Sequence, residues 1–171
     1  MKFTISATEL NAKLIALAKV MNSKVALPIY STFLLELKDG VLRITASDMD
    51  CSRCSTLPVI DMDGANGHSE SICVTASFLL DSLKNLGDQP VTFEADEENL
   101  SVVIRYNNGQ FDMVGFPAKD YVLPGTMEKN VKATSEASVL NDSIGKSLYA
   151  VGNDDLRPIF CGIYFTKKGD E

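Results

Sequence analysis

The stretch LPIYSTFLLELKDGVLRITASDMD, residues 27–50, decides the fold. It predicts a strand at 29–37, directly after a proline, and a returning strand at 41–47. The dipeptide Asp39-Gly40 between them is typical of a two-residue hairpin, because a type I′ turn needs a positive φ at both central positions. An antiparallel β-hairpin is therefore the starting point from which the rest of the chain is interpreted.

The residues on either side extend the hairpin into a larger unit. A strand at 2–6 and a helix over roughly 7–21 precede it, and a third strand follows at about 51–60. Ser6 and Glu9 have the spacing of a capping box at the start of the helix. The helix carries an apolar stripe at helical spacing, formed by Leu10, Leu14, Leu17 and Met21. The order is strand, helix, three strands.

The same order returns after a loop at 61–70, which is rich in Gly, Asn and Asp. A strand at 71–75 leads to a helix over about 76–86, with Thr75 as its cap and Gly87 in the left-handed position after it. The buried stripe of this helix is predicted to contain Phe78, Leu79, Leu83 and Leu86. Three strands follow near 90–95, 99–106 and 110–116, the last two joined at Asn108-Gly109.

Two βαβββ units therefore predict an α+β domain, with its two helices side by side on antiparallel sheet. Leu10, Leu14, Leu17, Leu79 and Leu83 are expected to be buried. Residues 117–130 contain two prolines and a glycine and are interpreted as a linker.

A third segment resembles the first at an offset of 130 residues, so that Leu10 corresponds to Leu140 and Pro28 to Pro158. After a further strand, it predicts a helix over about 138–151 and a strand at 159–166. The helix stripe is Leu140, Ile144, Leu148 and Val151. The expected organisation is one domain at 1–125, followed at 126–171 by a linker and the truncated beginning of a second domain. The chain is accordingly expected to be a fragment.

Composition limits the class of function. The chain of 171 residues has a net charge of −7, which by itself argues against a simple nucleic-acid binder. No secretory signal or membrane span is evident, so reduced cysteines in the cytoplasm are expected. Cys51-x-x-Cys54 has no second pair to complete a metal site, and no catalytic constellation is evident. We expect no cofactor, no metal and no enzymatic activity.

Four stretches resemble the bacterial DNA sliding clamp family, the beta subunit of the replicative DNA polymerase. They are MKFTIS at the start, residues 27–50, FPAKDYVLP at 116–124 and DLRPIFCGIYF at 155–165. The resemblance implies the DNA-clamp fold, with helices on one side and sheets on the other. It also implies a processivity factor, a ring that encircles and slides on duplex DNA. The implied partners are duplex DNA, the replicative polymerase, the clamp loader and a second subunit in a head-to-tail homodimer.

The resemblance also implies site residues. The DNA-binding candidates are Lys24, Lys13, Lys19 and Lys84, although lysines on helices are also typical of a solvated face. Phe160 corresponds to a cleft that receives partner peptides. The positions that match the subunit interface are Phe78, Ser82, Phe111 and Met113.

The charge layout agrees with this interpretation. The three helical segments, the first extended to Lys24, carry five cations and three acids, whereas the remainder carries 11 cations and 20 acids. Two alternatives remain open. One is a non-ring α+β module that binds a protein through a sheet edge, and the more distant one is an enzyme that uses the Cys51–Cys54 pair.

Overall fold

The computed structural model describes residues 1–21, 27–63, 69–125, 134–154 and 156–166. The chain divides into two compact units, Met1–Thr126 and Met127–Glu171. The elements of the first unit are β1 (Lys2–Ser6), α1 (Ala7–Ala18), β2 (Thr32–Lys38), β3 (Val41–Ser47), β4 (Ser52–Pro58), β5 (Asp61–Asp63), β6 (Glu70–Thr75), α2 (Ala76–Leu83), β7 (Pro90–Ala95), β8 (Ser101–Tyr106), β9 (Gly109–Val114) and β10 (Phe116–Pro117).

The strands form two antiparallel sheets in which the βαβββ segments exchange their first strands. One sheet has the order β5-β1-β7-β8-β9 and the other has the order β10-β6-β2-β3-β4. Thus β1, which begins the first segment, pairs with β7 of the second segment, and β6 pairs with β2 of the first. The two predicted βαβββ segments are present, and each one completes the sheet of the other.

A single core joins both sheets to both helices. The five leucines predicted to be buried are all at most 2% exposed. Alternate residues of the strands face them, for example Phe33, Leu35 and Leu37 of β2. Helix α1 contacts α2, β1, β3 and β4, and α2 also contacts β6. Because apolar side chains from every layer share this core, the two segments fold as one unit.

The hairpin confirms the turn predicted from Asp39-Gly40. The φ angles of Asp39 and Gly40 are 49° and 76°, as a type I′ turn requires. The second predicted hairpin is different: Tyr106 pairs with Gly109, so the turn is made by Asn107 and Asn108 rather than by Asn108-Gly109. Neither asparagine is among the residues with a positive φ.

The strand predicted at 29–37 is wrong at its start. Residues Pro28–Ser31 form a 3-10 helix, and the strand begins only at Thr32. Proline suits the first position of a helical turn because its φ is already fixed near the helical value. The turn is closed by side chains: Ser31 Oγ donates to the Pro28 carbonyl and Thr32 Oγ1 to the Ile29 carbonyl, each at 2.5 Å.

Both helices of the first unit are shorter than predicted. Helix α1 ends at Ala18 rather than near residue 21, and α2 ends at Leu83 rather than near 86. Ser6 Oγ accepts from the Glu9 backbone N–H at 3.4 Å, so half of the predicted capping box is present. Thr75 occupies the cap position of α2 without a side-chain hydrogen bond.

Two segments interpreted as loop or linker form ordered structure. Asp61–Asp63 pairs with β1, so the first residues of the predicted loop form a strand, and 64–68 lie outside the described residues. Phe116–Pro117 pairs with β6, and Tyr121 is buried on the outer face of that sheet against Tyr30, Leu34 and Cys73. The Tyr30 hydroxyl donates to the Val122 carbonyl at 2.8 Å. The early part of the predicted linker is therefore packed onto the sheet.

The second unit repeats elements of the first at the offset of 130 residues. Helix α3 (Ala137–Leu148) corresponds to α1, and the 3-10 helix Pro158–Cys161 corresponds to Pro28–Ser31. The strand predicted at 159–166 is wrong, because this 3-10 helix is followed by irregular backbone at 162–166. A strand needs a hydrogen-bonded neighbour, and none is present among the described residues of this unit. The stripe of α3 is also not buried.

Candidate functional site

The predicted DNA-binding lysines that the structure describes lie on the helix layer. Lys13 is on α1, Lys19 follows the end of α1, and Lys84 follows the end of α2, and all three are exposed. Within the described part of the chain, none of them lies within ion-pair distance of an acid. Lys24 lies outside the described residues. The helix layer thus presents exposed lysines that form no ion pair with a described acid.

The outer faces of the sheets differ from the helix layer, because several cations on these faces are paired with acids. Lys2 Nζ lies 3.4 Å from Glu94 and 3.8 Å from Asp63, and Arg105 Nε lies 3.2 Å from Glu94. Desolvation acts to raise the pKa of Glu94, but the hydrogen bonds from Arg105 and Lys2 outweigh it and leave that pKa below its ordinary value. These cations therefore offer little attraction to a phosphate.

A groove brings together three of the four residues predicted for the subunit interface. Phe78 and Ser82 from α2 and Phe111 from β9 line one cavity of about 580 Å³. The rings of Phe78 and Phe111 meet edge to face, with centroids 6.5 Å apart and an angle of 89° between their planes. Met113, the fourth residue, is half-buried against the core and does not line this groove.

Sequence reasoning missed the other residues of the groove, which are Asp81, Asn85, Leu86 and Tyr106. Phe78 was predicted to be buried, but it is 39% exposed because it points along the flank of α2 towards β9. The ring of Tyr106 stacks on Phe111 with centroids 5.0 Å apart. In the sequence, the only indication of these additional groove residues was the aromatic residue Tyr106 at the end of β8.

The groove lies beside an open sheet edge. Among the residues that the structure describes, strand β9 is the last in its sheet and pairs only with β8. An edge strand presents unpaired backbone N–H and C=O groups that can extend the sheet into another chain. Aromatic side chains next to such an edge favour a protein interface.

Phe160, predicted for a peptide cleft, is 60% exposed in the second unit. Its carbonyl accepts from the Gly152 N–H at 2.8 Å, and the Arg157 guanidinium lies 5.7 Å from the centre of its ring. Arg157 also pairs with Asp154 at 2.9 Å. Phe160 thus lies at the surface of the described part of the second unit, with a cation beside its ring.

The cysteines do not form a cluster. Cys51 and Cys54 are exposed, and no group of three or more possible metal ligands occurs among the residues that the structure describes. Over the same residues, no helix is long and apolar enough to cross a membrane.

Two antiparallel sheets with helices packed against them are the arrangement that the sequence resemblance implied. The family model described as the DNA polymerase III beta subunit, N-terminal domain, matches residues 1–124. The chain belongs to the DNA polymerase III beta-subunit family. The family match supports the sliding-clamp interpretation over the non-ring interaction module.

Members of the beta-subunit family resemble the chain along most of its length. The beta sliding clamp of Bacillus subtilis is 26% identical over 166 residues, which is 95% of this chain and 44% of the relative. The beta sliding clamp of Vibrio cholerae is 26% identical over 172 residues, which is 99% of this chain and 45% of the relative. The chain therefore spans less than half the length of these relatives.

A solved structure in the beta-subunit family supports the fold. The DNA polymerase III subunit beta from Pseudomonas aeruginosa matches with a TM-score of 0.83 at 22% identity, over 94% of this chain and 42% of that chain. The architecture of sheets and helices is therefore that of this family.

Proposed function

We propose that this chain is part of a DNA polymerase processivity clamp, a non-catalytic ring that encircles duplex DNA and tethers the replicative polymerase. The observation that carries the proposal is the distribution of charge over the two layers of the first unit. Lys13, Lys19 and Lys84 are exposed on the helix layer without an acidic partner among the described residues. Several cations on the sheet faces are paired with acids, as Lys2 is with Glu94.

This distribution suits sliding. An overall charge of −7 disfavours binding of DNA to the outside of the molecule. A few lysines on one layer give weak contacts to phosphates, which are independent of sequence and sensitive to salt. The contacts orient the duplex, and the closed ring supplies the retention.

Ring closure is proposed to use the groove of Phe78, Ser82 and Phe111 together with the free edge of β9. Met113 is included as a supporting residue behind the edge. Asp81 adds a negative charge to the groove, so the matching surface of a second subunit would combine apolar side chains with a cation. The proposed assembly is a head-to-tail homodimer, in which the groove of one subunit meets a different surface of the other.

The remaining assignments complete the proposal. The residues 1–125 form one clamp domain, and 126–171 contain a linker and the beginning of a second. The clamp loader and the replicative polymerase are the proposed protein partners, with Phe160 in the region that receives their peptides. The proposed place of action is the cytoplasm, where bacterial chromosomal DNA is replicated.

The DNA contact is tested by binding a fluorescent 30-base-pair duplex to the chain at low salt. We expect weaker DNA binding from each of three variants, Lys13→Glu, Lys19→Glu and Lys84→Glu. Each one replaces an attraction for phosphate with a repulsion. The matched controls are Lys38→Glu and Lys119→Glu, which change exposed lysines outside the helix layer. Lys24→Glu is expected to act like the helix-layer variants.

Equal weakening by control and helix-layer variants would show that DNA recognises total charge and not the helix layer. That outcome would remove the proposed orientation of the duplex. Binding that is steeply salt-dependent and sensitive only to the helix-layer lysines would support it.

A further inference from the structure

Arg53 lies at one end of the helix layer, where sequence reasoning placed no functional residue. It is the second residue of β4, and its Nη1 donates to the Ala16 carbonyl at 3.1 Å. Ala16 is in the last turn of α1, whose carbonyls have no partner within the helix. Arg53 pairs in register with Ala46, a core residue, so both side chains are on the helix side of the sheet.

The charge of Arg53 is not neutralised by a described acid. In the ranges that the structure describes, it forms no ion pair. The closest acids along the chain are Asp48 and Asp50, in the β3–β4 turn. Asp48 Oδ1 instead accepts from the backbone N–H groups of Asp50, at 3.3 Å, and Cys51, at 2.8 Å. Arg53 is exposed, so its remaining donors face solvent.

Arg43 provides an internal comparison on the neighbouring strand. It lies in β3 on the opposite face of the same sheet, and its Nε is 3.7 Å from Glu36 Oε2. Two arginines of one sheet therefore have different electrostatic roles: Arg43 is paired with an acid, and Arg53 adds its charge to the helix layer.

The position of Arg53 changes how this end of α1 interacts with an anion. The C-terminal end of a helix carries a partial negative charge, which repels phosphate. A guanidinium bound to one of its carbonyls places a full positive charge there. The group has five N–H donors, of which the Ala16 carbonyl uses one, and the others suit two phosphate oxygens. Lys19 is at the same end of the helix.

We propose that Arg53 binds phosphate groups of the DNA backbone, as a further cation of the helix layer beside Lys13, Lys19 and Lys84. This inference rests on the proposed function, in which that layer faces the duplex. Arg53 makes the end of α1 attractive to phosphate, where the helix alone would repel it.

The test measures binding of a 30-base-pair duplex to the whole chain over a series of salt concentrations. Arg53→Gln removes the charge and leaves a shorter polar side chain with an N–H donor. It is expected to weaken binding and to lower the slope of log affinity against log salt by about 0.9, the value for one phosphate contact. Arg53→Lys should retain most of the slope, and Arg43→Gln, the matched control, should leave it unchanged.

The outcomes separate this inference from the proposed function. An unchanged slope in Arg53→Gln, with a reduced slope in Lys13→Gln and Lys19→Gln, overturns the role of Arg53 and leaves the DNA-facing layer in place. If the salt slope of every one of these variants equals that of the unsubstituted chain, both the role of Arg53 and the proposed DNA-facing layer are overturned. Circular dichroism checks α1: weaker binding that accompanies lost helix content and is not rescued by Arg53→Lys would assign Arg53 a purely structural role.

Discussion

Adjacent residues of α1 have opposite environments, because successive side chains on a helix are about 100° apart. Leu14 is fully buried between the helix and the sheets, whereas Ile15 is 52% exposed. The two side chains contain the same number of carbon atoms, so the difference in their contribution to stability comes from burial alone. This pair isolates the effect of the core from the effect of composition.

We therefore expect Leu14→Ala to lower the free energy of unfolding by about 2–5 kcal/mol, from lost burial and the cavity left behind. Ile15→Ala, the matched control, should change it by less than about 1 kcal/mol, since it leaves no cavity. Urea unfolding followed by circular dichroism measures both. Equal effects of the two substitutions would contradict the packing of α1.

The four cysteine thiols also differ in how far they are buried. Cys73 is buried, and desolvation raises the pKa of its thiol to about 11, whereas Cys51, Cys54 and Cys161 are exposed. We expect three thiols to react with an aromatic disulfide reagent at pH 8 and Cys73 to react only after unfolding.

Ionisation of Cys73 is also linked to stability. The folded pKa lies above the unfolded value, so the contribution of Cys73 is fully present below the unfolded pKa. It is lost as pH rises towards about 11. Cys73→Ala should flatten this part of the pH profile in unfolding experiments. Four fast-reacting thiols in the folded protein would contradict the burial of Cys73.

At the level of elements, the connection from α2 to β7 contains a backbone conformation that glycine favours. Gly87 has a φ of +66°, and no atom lies within 4 Å of a Cβ placed there. A larger residue at this position would therefore not clash with neighbouring elements. The requirement for glycine comes from the local backbone conformation. The chain then reaches β7, which pairs with β1.

Gly87→Ala is expected to lower the free energy of unfolding by about 1–2 kcal/mol, because an L-residue is strained in the left-handed region. Gly87→Asn is the control, since asparagine tolerates this conformation better. Chemical denaturation of the three proteins compares them. A stabilising Gly87→Ala substitution would mean that residue 87 does not have the left-handed conformation.

At the level of the whole molecule, the second unit leaves apolar side chains in solvent. Phe160, Tyr164 and Phe165 are between 60% and 88% exposed. At the offset of 130 residues they correspond to Tyr30, Leu34 and Leu35, which are buried in the first unit. There, Tyr121 and Cys73 of β6 pack against Tyr30 and Leu34, and Leu35 lies in the core beneath the helices. The second unit lacks such a cover among its described residues.

We expect the chain to self-associate at high concentration, because exposed apolar surface of this size favours a partner. Phe160→Asp with Phe165→Asp should shift the equilibrium towards the monomer. Light scattering over a range of concentrations measures it. A monomer at every concentration, with the second unit protected from proteolysis, would contradict this prediction.

We also expect the chain by itself not to remain on circular duplex DNA. Retention on a circle needs a closed ring, and the helix-layer lysines supply only weak, salt-sensitive contacts. Gel filtration of chain mixed with circular plasmid, at moderate salt, tests this. Co-elution that is lost when the plasmid is linearised would show that the chain closes a ring without further sequence.

Sequence by itself determined the features that depend on neighbouring residues. The Asp39-Gly40 turn, the leucine stripe of α1 and the left-handed Gly87 follow from local φ preferences and from the helical period. The order of the βαβββ segments and the recurrence of α1 as α3 were predictable for the same reason. Family resemblance added the site residues, of which Phe78, Ser82 and Phe111 lie together in one groove.

Only the tertiary structure decided the features that depend on residues far apart in the chain. The exchange of β1 and β6 between the two sheets is set by pairing between residues far apart in the chain, for which no local pattern exists: Lys2 of β1 pairs with Glu94, and Thr32 of β2 pairs with Thr75 of β6. Tyr121 is buried because the preceding strand returns to β6, and Arg53 reaches α1 because β4 lies beside it. The periodicity of a segment tells on which face of its helix or strand a residue lies. Which residues contact that face is decided by how the elements pack.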